Sequence, residues 1–244
     1  MKALLLAAGE GTRLRPITEH IPKCMVPING RPLISYWIDL LFEADIESIL
    51  INTHYLSQIV VDYIDSLGWG DKIKLVHEEK LLGTAGTIFA NKDFFEGESF
   101  MVIHADNLSR FNVHEFLDAH KFRPEGSKIT MMTFETDSPS SCGIVVCDSK
   151  GLVVEFYEKK PNPPGNLANG AVYILDPEVI GFISTIPKDQ FPLEFSTAVL
   201  PYFIGEINTF HNNQYHRDIG TPESYKTAQL TFEILTGTSK KRNI

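Results

Sequence analysis

The strongest constraint on the fold of this 244-residue chain is its first apolar run, KALLLA at positions 2–7, which does not alternate with polar residues. A strand with apolar side chains at consecutive positions must be covered on both faces, as the central strand of a parallel sheet is. The segments after it supply the covers. PLISYWIDLLFEADI (32–46) repeats apolar residues at helical spacing, SILINTHY (48–55) returns to a strand pattern, and LSQIVVDYIDSLG (56–68) is amphipathic and stops at Gly68. KIKLVHEE (72–79) and SFMVIHAD (99–106) read as strands, NVHEFLDAHKF (112–122) as a helix and SKITMMTFET (127–136) as a strand. Strand and helix in alternation predict right-handed crossovers in a Rossmann-like, mostly parallel sheet flanked by helices, an α/β fold.

The pattern changes in the second half. GIVVCDSKGLVVEFYEKK (143–160) predicts two strands around a turn at Ser149, Lys150 and Gly151, and NGAVYILD (169–176) a third after a Pro/Asn/Gly-rich loop. These form a small antiparallel insertion beside the main sheet, the second wall of a cleft. TPESYKTAQLTFEIL (221–235) closes the chain as a helix with Pro222 and Glu223 in its first turn. No long linker interrupts the pattern, so residues 1–237 are expected to form one domain, with 238–244 a frayed basic tail. A net charge of −9 argues against a nucleic-acid binder. An anionic ligand must then be held by a few local cations, glycine N–H groups or a metal. Cys24, Cys142 and Cys147 suit neither a zinc cluster nor a disulfide framework, and the short opening run is neither signal peptide nor membrane span, so a cytoplasmic protein is expected.

Between the first strand and the first helix lies GEGTR (9–13), a glycine-rich turn that brings backbone N–H groups up to a phosphate. Two familiar phosphate loops fail on residue type. The dinucleotide fingerprint requires glycine where Leu14 stands and an acid at the end of the second strand, where INTHY stands instead; the P-loop requires Gly-Lys-Ser/Thr where this loop ends Gly-Thr-Arg. Arg13 and Lys23 remain as cations able to meet charge on a triphosphate.

Together LLLAAGEGTRLRPIT, PKCMVPINGRPLI, LLGTAG, VIHAD, EKKPNPPGNLANGAVYIL and YHRDIGTPESY resemble, in order and almost end to end, the sugar-1-phosphate nucleotidylyltransferases. The resemblance implies the nucleotide-diphospho-sugar transferase fold and attack of a sugar 1-phosphate on the α-phosphorus of an NTP. It implies that Ala8, Gly9, Gly11, Thr12, Arg13, Lys23, Glu78, Gly83 and Thr84 bind the nucleotide, with Arg13, Lys23 and Asp106 catalytic. Asp106 and Asp218 would hold Mg²⁺, whose hard charge suits carboxylate and phosphate oxygens. Gly143, Glu158, Lys159, Asn169 and Gly170 would hold the sugar phosphate. Ala105 stands where the family often has glycine, and His216-Arg217 replaces a common Trp.

The spelling LLGTAG is most similar to the guanylyltransferases for mannose 1-phosphate and manno-heptose 1-phosphate, and Glu78 is a carboxylate able to accept from guanine N1–H and N2–H₂. Thymidylyl and uridylyl enzymes for glucose-type sugars share the other motifs. The runner-up is a cytidylyltransferase for phosphocholine, with Phe156, Tyr157 and Tyr173 available for an aromatic cage, although Asn169 and Glu158 favour a sugar. A non-catalytic nucleotide-sugar sensor should have lost a phosphate or metal ligand, and none is missing. The chain stops soon after its last helical pattern, so a catalytic domain without the C-terminal β-helix of longer relatives is expected. The expected partners are an NTP and a sugar 1-phosphate, with neither nucleic acid nor membrane; a homo-oligomer is left open.

Overall fold

The computed structural model describes residues 1–236; the expected basic tail at 238–244 lies outside the described residues. The strands are β1 (Lys2–Leu6), β2 (Pro27–Ile28), β3 (Arg31–Pro32), β4 (Ser48–Thr53), β5 (Ile73–His77), β6 (Phe100–His104), β7 (Asn107–Arg110), β8 (Ile129–Glu135), β9 (Gly143–Cys147), β10 (Val153–Glu158), β11 (Leu167–Leu175), β12 (Ile207–His211) and β13 (Tyr215–Asp218). The helices are α1 (Leu33–Glu43), α2 (Ser57–Ser66), α3 (Thr84–Ala90), α4 (Val113–Lys121), α5 (Pro177–Thr185), α6 (Phe195–Ala198) and α7 (Pro222–Thr236).

One nine-stranded sheet runs β10-β9-β11-β6-β1-β4-β5, with β8 on β11 and β12 on β8. The pairs β1–β4, β1–β6, β4–β5 and β8–β12 are parallel. The unbroken apolar run of β1 has the expected cause. Ala3 and Leu5 pack on one face with Trp37, Ile38 and Leu41 of α1, whereas Leu4 packs on the other with Ile88 of α3. β4 and β6 divide in the same way: Ile49, Ile51, Met101 and Ile103 join the first core, and Leu50, Phe100 and Val102 the second. The two-residue period of a strand thus feeds two separate cores from one sequence.

The antiparallel strands are present but do not stand apart. β9 and β10 form a hairpin that meets β11 through Ala168↔Ile144, and β11 pairs antiparallel with β6, so the hairpin extends the main sheet. A third, smaller core of Leu14, Val26, Ile28, Leu33, Leu108, Ile219, Ala228 and Phe232 lies under α7. The N-terminus of α7 is capped by Thr221, whose Oγ1 accepts the Ser224 N–H at 3.2 Å. None of the described helices is long and apolar enough to cross a membrane.

Candidate active site

The parallel strands β1, β4 and β6 end side by side, with Leu6 in register with both Asn52 and His104. Ligands of open α/β sheets bind at such carboxyl ends. A cavity of about 290 Å³ opens there, and all nine residues expected to bind nucleotide line it together with Asp106. Residues from four separate stretches of sequence are brought to one wall or another of a single space.

Two of the smaller packing units place its charges. Leu14 and Ile219 are fully buried in the core under α7, which sets their chain neighbours close: Arg13 Nη2 lies 3.7 Å from Asp218 Oδ2. The two-stranded sheet of β7 and β13 pairs Asn107 with Asp218, bringing Asp106 alongside. Between the two carboxylates sits Lys23, on a short turn anchored by the buried Cys24 and Met25. Its ammonium donates to Asp106 Oδ2 at 2.7 Å and to Asp218 Oδ1 at 2.9 Å.

Burial alone would lower the Lys23 pKa, but the charges of Asp106 and then Asp218 outweigh it and raise the value. For Asp106, burial opposes ionisation, yet Lys23, with help from His104, holds the carboxyl down to about 2. Both members therefore remain charged across the physiological range. Lys23 takes one oxygen of each aspartate, and its side chain is 6% exposed while those of Asp106 and Asp218 are 40% and 46% exposed. That leaves each aspartate one oxygen that Lys23 does not take, that of Asp218 lying 3.7 Å from Arg13 Nη2. Two hard carboxylate donors with no third protein ligand, among the described residues, fit a divalent cation that completes its shell from phosphate and water.

The loop after β5 is clamped from the far side of the chain. Leu193 N–H donates to Leu82 O at 2.9 Å, and Leu193 O accepts from Ala85 N–H at 2.9 Å. Gly83 lies between them with φ +74° and ψ 162°, a region essentially reserved for glycine, and a Cβ there would sit 2.6 Å from the Leu193 backbone. Thr84 Oγ1 donates to Glu194 Oε2 at 3.0 Å and accepts the Phe195 N–H at 2.6 Å.

Glu78 has its carboxylate partly committed within the protein. It lines the cavity and the residue is 5% exposed, with its carboxylate bonded inside the protein: Oε1 accepts from Asn52 Nδ2 and Thr87 Oγ1, Oε2 from the Leu82 N–H. These bonds brace the loop against β4 and α3 and leave the carboxylate little acceptor capacity for a base edge. Among the cavity residues absent from the expected set are the polar side chains of Asn52, Thr87, His104 and Glu194. The strand-end position of Asn52 and His104 was the available signal, whereas Glu194 lies outside every motif.

The expected sugar-phosphate residues gather at one end of β9–β11, outside the first cavity. Gly143 is in register with Glu158, and a Cβ on Gly143 would lie 2.7 Å from Glu158 Oε2, so glycine makes room for that carboxylate. Lys159 N–H donates to Cys142 O at 3.0 Å. Asn169 has both ends of its amide bonded within the protein, Nδ2 donating to Tyr173 Oη at 2.6 Å and Oδ1 accepting from Ala171 N–H at 2.9 Å. Gly170 connects this cluster to the charges: a Cβ there would lie 3.7 Å from Cε1 of His216, two residues before Asp218 on β13. Tyr173 is buried against Phe195 and bonded to Asn169, which removes it from any exposed aromatic cage. A second cavity of about 350 Å³, lined in part by Cys142, His216 and Arg217, adjoins the first and shares Arg13 and Gly220 with it.

The family model described as nucleotidyl transferase matches residues 2–233. This chain belongs to the nucleotidyl transferase family. Among the family's curated members, mannose-1-phosphate guanyltransferase 2 of Candida glabrata is 33% identical over 233 residues, 92% of this chain and 63% of that protein. Mannose-1-phosphate guanylyltransferase 1 of Arabidopsis thaliana is 33% identical over 242 residues, 93% of this chain and 63% of that protein. The chain spans less than two thirds of the length of these curated relatives. Among solved structures, HddC from Yersinia pseudotuberculosis superposes with a TM-score of 0.79 at 27% identity, covering 95% of this nucleotidyl transferase and 99% of HddC. The same protein complexed with GMP-PN gives a TM-score of 0.78.

Proposed function

We propose that this chain is a sugar-1-phosphate guanylyltransferase that joins GTP and a manno-configured sugar 1-phosphate, mannose or manno-heptose, to give the GDP-sugar and pyrophosphate. The observation that carries the reaction class is the shared cavity: a glycine-rich loop with Arg13, the Lys23–Asp106 ion pair and the loop at Gly83 all border one space at the strand ends, and Lys23 ties Asp218 to it from the adjoining cavity. The choice of GTP and mannose rests on the names of the curated relatives, and HddC, complexed with GMP-PN, supports a guanine nucleotide.

The chemistry is a displacement between anions. An oxygen of the sugar 1-phosphate attacks the α-phosphorus; the new O–P bond forms as the bond to the β-phosphate breaks, and the electron pair leaves on pyrophosphate. The nucleophile is already ionised, so no strong general base is required, and catalysis consists of positioning and charge stabilisation. In this reading Asp106 and Asp218 would hold Mg²⁺, which supplies charge neutralisation at the reacting phosphate. Lys23 holds Asp106 ionised and bonds to both carboxylates, which turns them toward one another. Arg13, with its side chain 66% exposed, is free to follow the charge that grows on the leaving pyrophosphate. Lys159 and Glu158 receive the sugar phosphate, one by charge and the other through hydroxyls.

The test is pyrophosphate release with Mg²⁺ across GTP, dTTP, UTP, CTP and ATP against mannose, manno-heptose and glucose 1-phosphates and phosphocholine. Turnover confined to GTP with a manno sugar is expected. Turnover with another pair would keep the mechanism and replace the specificity; failure with every pair would overturn the enzyme reading in favour of a nucleotide-sugar sensor.

A further inference from the structure

Asn52, the penultimate residue of β4, is 3% exposed and lines the cavity, yet no part of the reaction above uses it. Its amide is bonded in two directions. Oδ1 accepts the N–H of Ala7, at the root of the glycine-rich loop, at 2.8 Å. Nδ2 donates to Glu78 Oε1 at 2.9 Å and to Thr87 Oγ1 at 3.3 Å. Glu78 carries the connection onward through Oε2, which accepts the Leu82 N–H at 3.1 Å, and Thr87 Oγ1 also donates to Glu78 Oε1 at 2.5 Å. One buried amide therefore joins the root of the phosphate loop to the loop at Gly83 and the first turns of α3.

The polarity of this link is strict. Ala7 supplies a donor and Glu78 an acceptor, so position 52 must present an acceptor on one side and a donor on the other, which among side chains of this length only asparagine does. Ala7, Glu78 and Thr87 all line the cavity with Asn52. A bond that merely held strands together would have no reason to end on two loops facing the same ligand space.

We propose that Asn52 is a positioning residue that sets the separation of the glycine-rich phosphate loop and the loop at Gly83, so that a nucleoside triphosphate engages both at once. The proposal rests on the nucleotide reading of this cavity. Replacing Asn52 with Asp keeps the acceptor for Ala7 but puts two carboxylates face to face; adding Glu78→Gln restores a donor–acceptor pair with its direction reversed.

The experiment measures GTP–Mg²⁺ binding by calorimetry and the KM for each substrate in wild type, N52D and N52D/E78Q, with Tm recorded for all three. N52D is expected to weaken GTP binding by about tenfold or more, with the sugar 1-phosphate KM within about twofold of wild type, and the double variant to recover most of the loss. N52D that binds GTP as wild type does overturns the proposal, as does an equal rise in both KM values. If N52D does not fold, the double variant decides: recovery of fold and affinity supports the proposal, while recovery of fold alone, or of neither, overturns it. Wild-type protein that binds none of the nucleoside triphosphates would instead remove the nucleotide reading itself, and the positioning role with it.

Discussion

Lys23 Nζ donates to Asp106 Oδ2 at 2.7 Å across 83 residues of sequence, and this bond makes the candidate site a single charged unit. Asp106→Asn keeps the shape of the side chain and removes its charge. The variant should fold, because Lys23 retains Asp218 at 2.9 Å. Turnover should fall by roughly two to three orders of magnitude, the usual cost of removing one preorganised electrostatic group. Steady-state kcat beside a thermal melt checks this, and near-normal turnover would remove Asp106 from the chemistry.

Gly83 supports a second prediction. Its backbone conformation and the 2.6 Å approach to Leu193 leave no room for a methyl group. Gly83→Ala should cost about 2 kcal/mol or more, because the strain falls on two backbones already bonded to each other. For a chain of this size that is a Tm drop of about 4–8 °C. The nucleotide KM should rise with it, since the displaced loop lines the cavity. A variant with unchanged Tm would show that the clamp from Leu193 gives way freely.

The sheet was legible because its signals are local: the apolar run of β1 and the helical spacing of α1 each lie within one short window. Arg13, Lys23 and Asp106 were legible as motifs, and the structure brings them to one cavity. The bracing of that cavity was not. Asn52 reaches Ala7 across 45 residues and Thr84 reaches Glu194 across 110, and a single polar residue has no period to announce such a pairing. The short strands β7 and β13 were missed for a related reason: each has four residues, and pairing between distant segments, more than local propensity, makes them strands. Glu78 was legible as a carboxylate of suitable type, whereas its bonds to Asn52 of β4 and to the Leu82 N–H were not.

Buried histidines give the stability a defined pH dependence. Burial, reinforced by the Arg123 charge and opposed by Asp176, holds His120 below its ordinary 6.5, and burial lowers His216 to about 4 against the pull of Asp218 and Asp106. The unfolded chain therefore binds more protons than the folded one below pH 6.5, and stability falls as pH drops from 6.5 toward 4. Asp106 acts in a lower window, its contribution present above 3.8 and lost toward pH 2. A Tm loss of roughly 7–15 °C is expected between pH 7 and pH 5. His120→Gln should reduce that loss, because its amide does not titrate; a pH–Tm slope identical to wild type would assign the effect elsewhere.

Arg13 separates binding from folding. Its guanidinium lies 3.7 Å from Asp218, with side chains 66% and 46% exposed, and a pair so open to water contributes little to stability. Arg13→Ala should therefore melt within about 1 °C of wild type, since an exposed pair is commonly worth well under 1 kcal/mol. Its role appears only when a triphosphate enters, where a planar guanidinium meets phosphate oxygens two at a time. Turnover should fall by about a hundredfold or more. Arg13→Lys should recover only part of it, because a point charge replaces the fork. If Lys recovers full turnover, Arg13 acts through charge alone; if Ala loses stability in step with activity, the residue is structural and the leaving-group role fails.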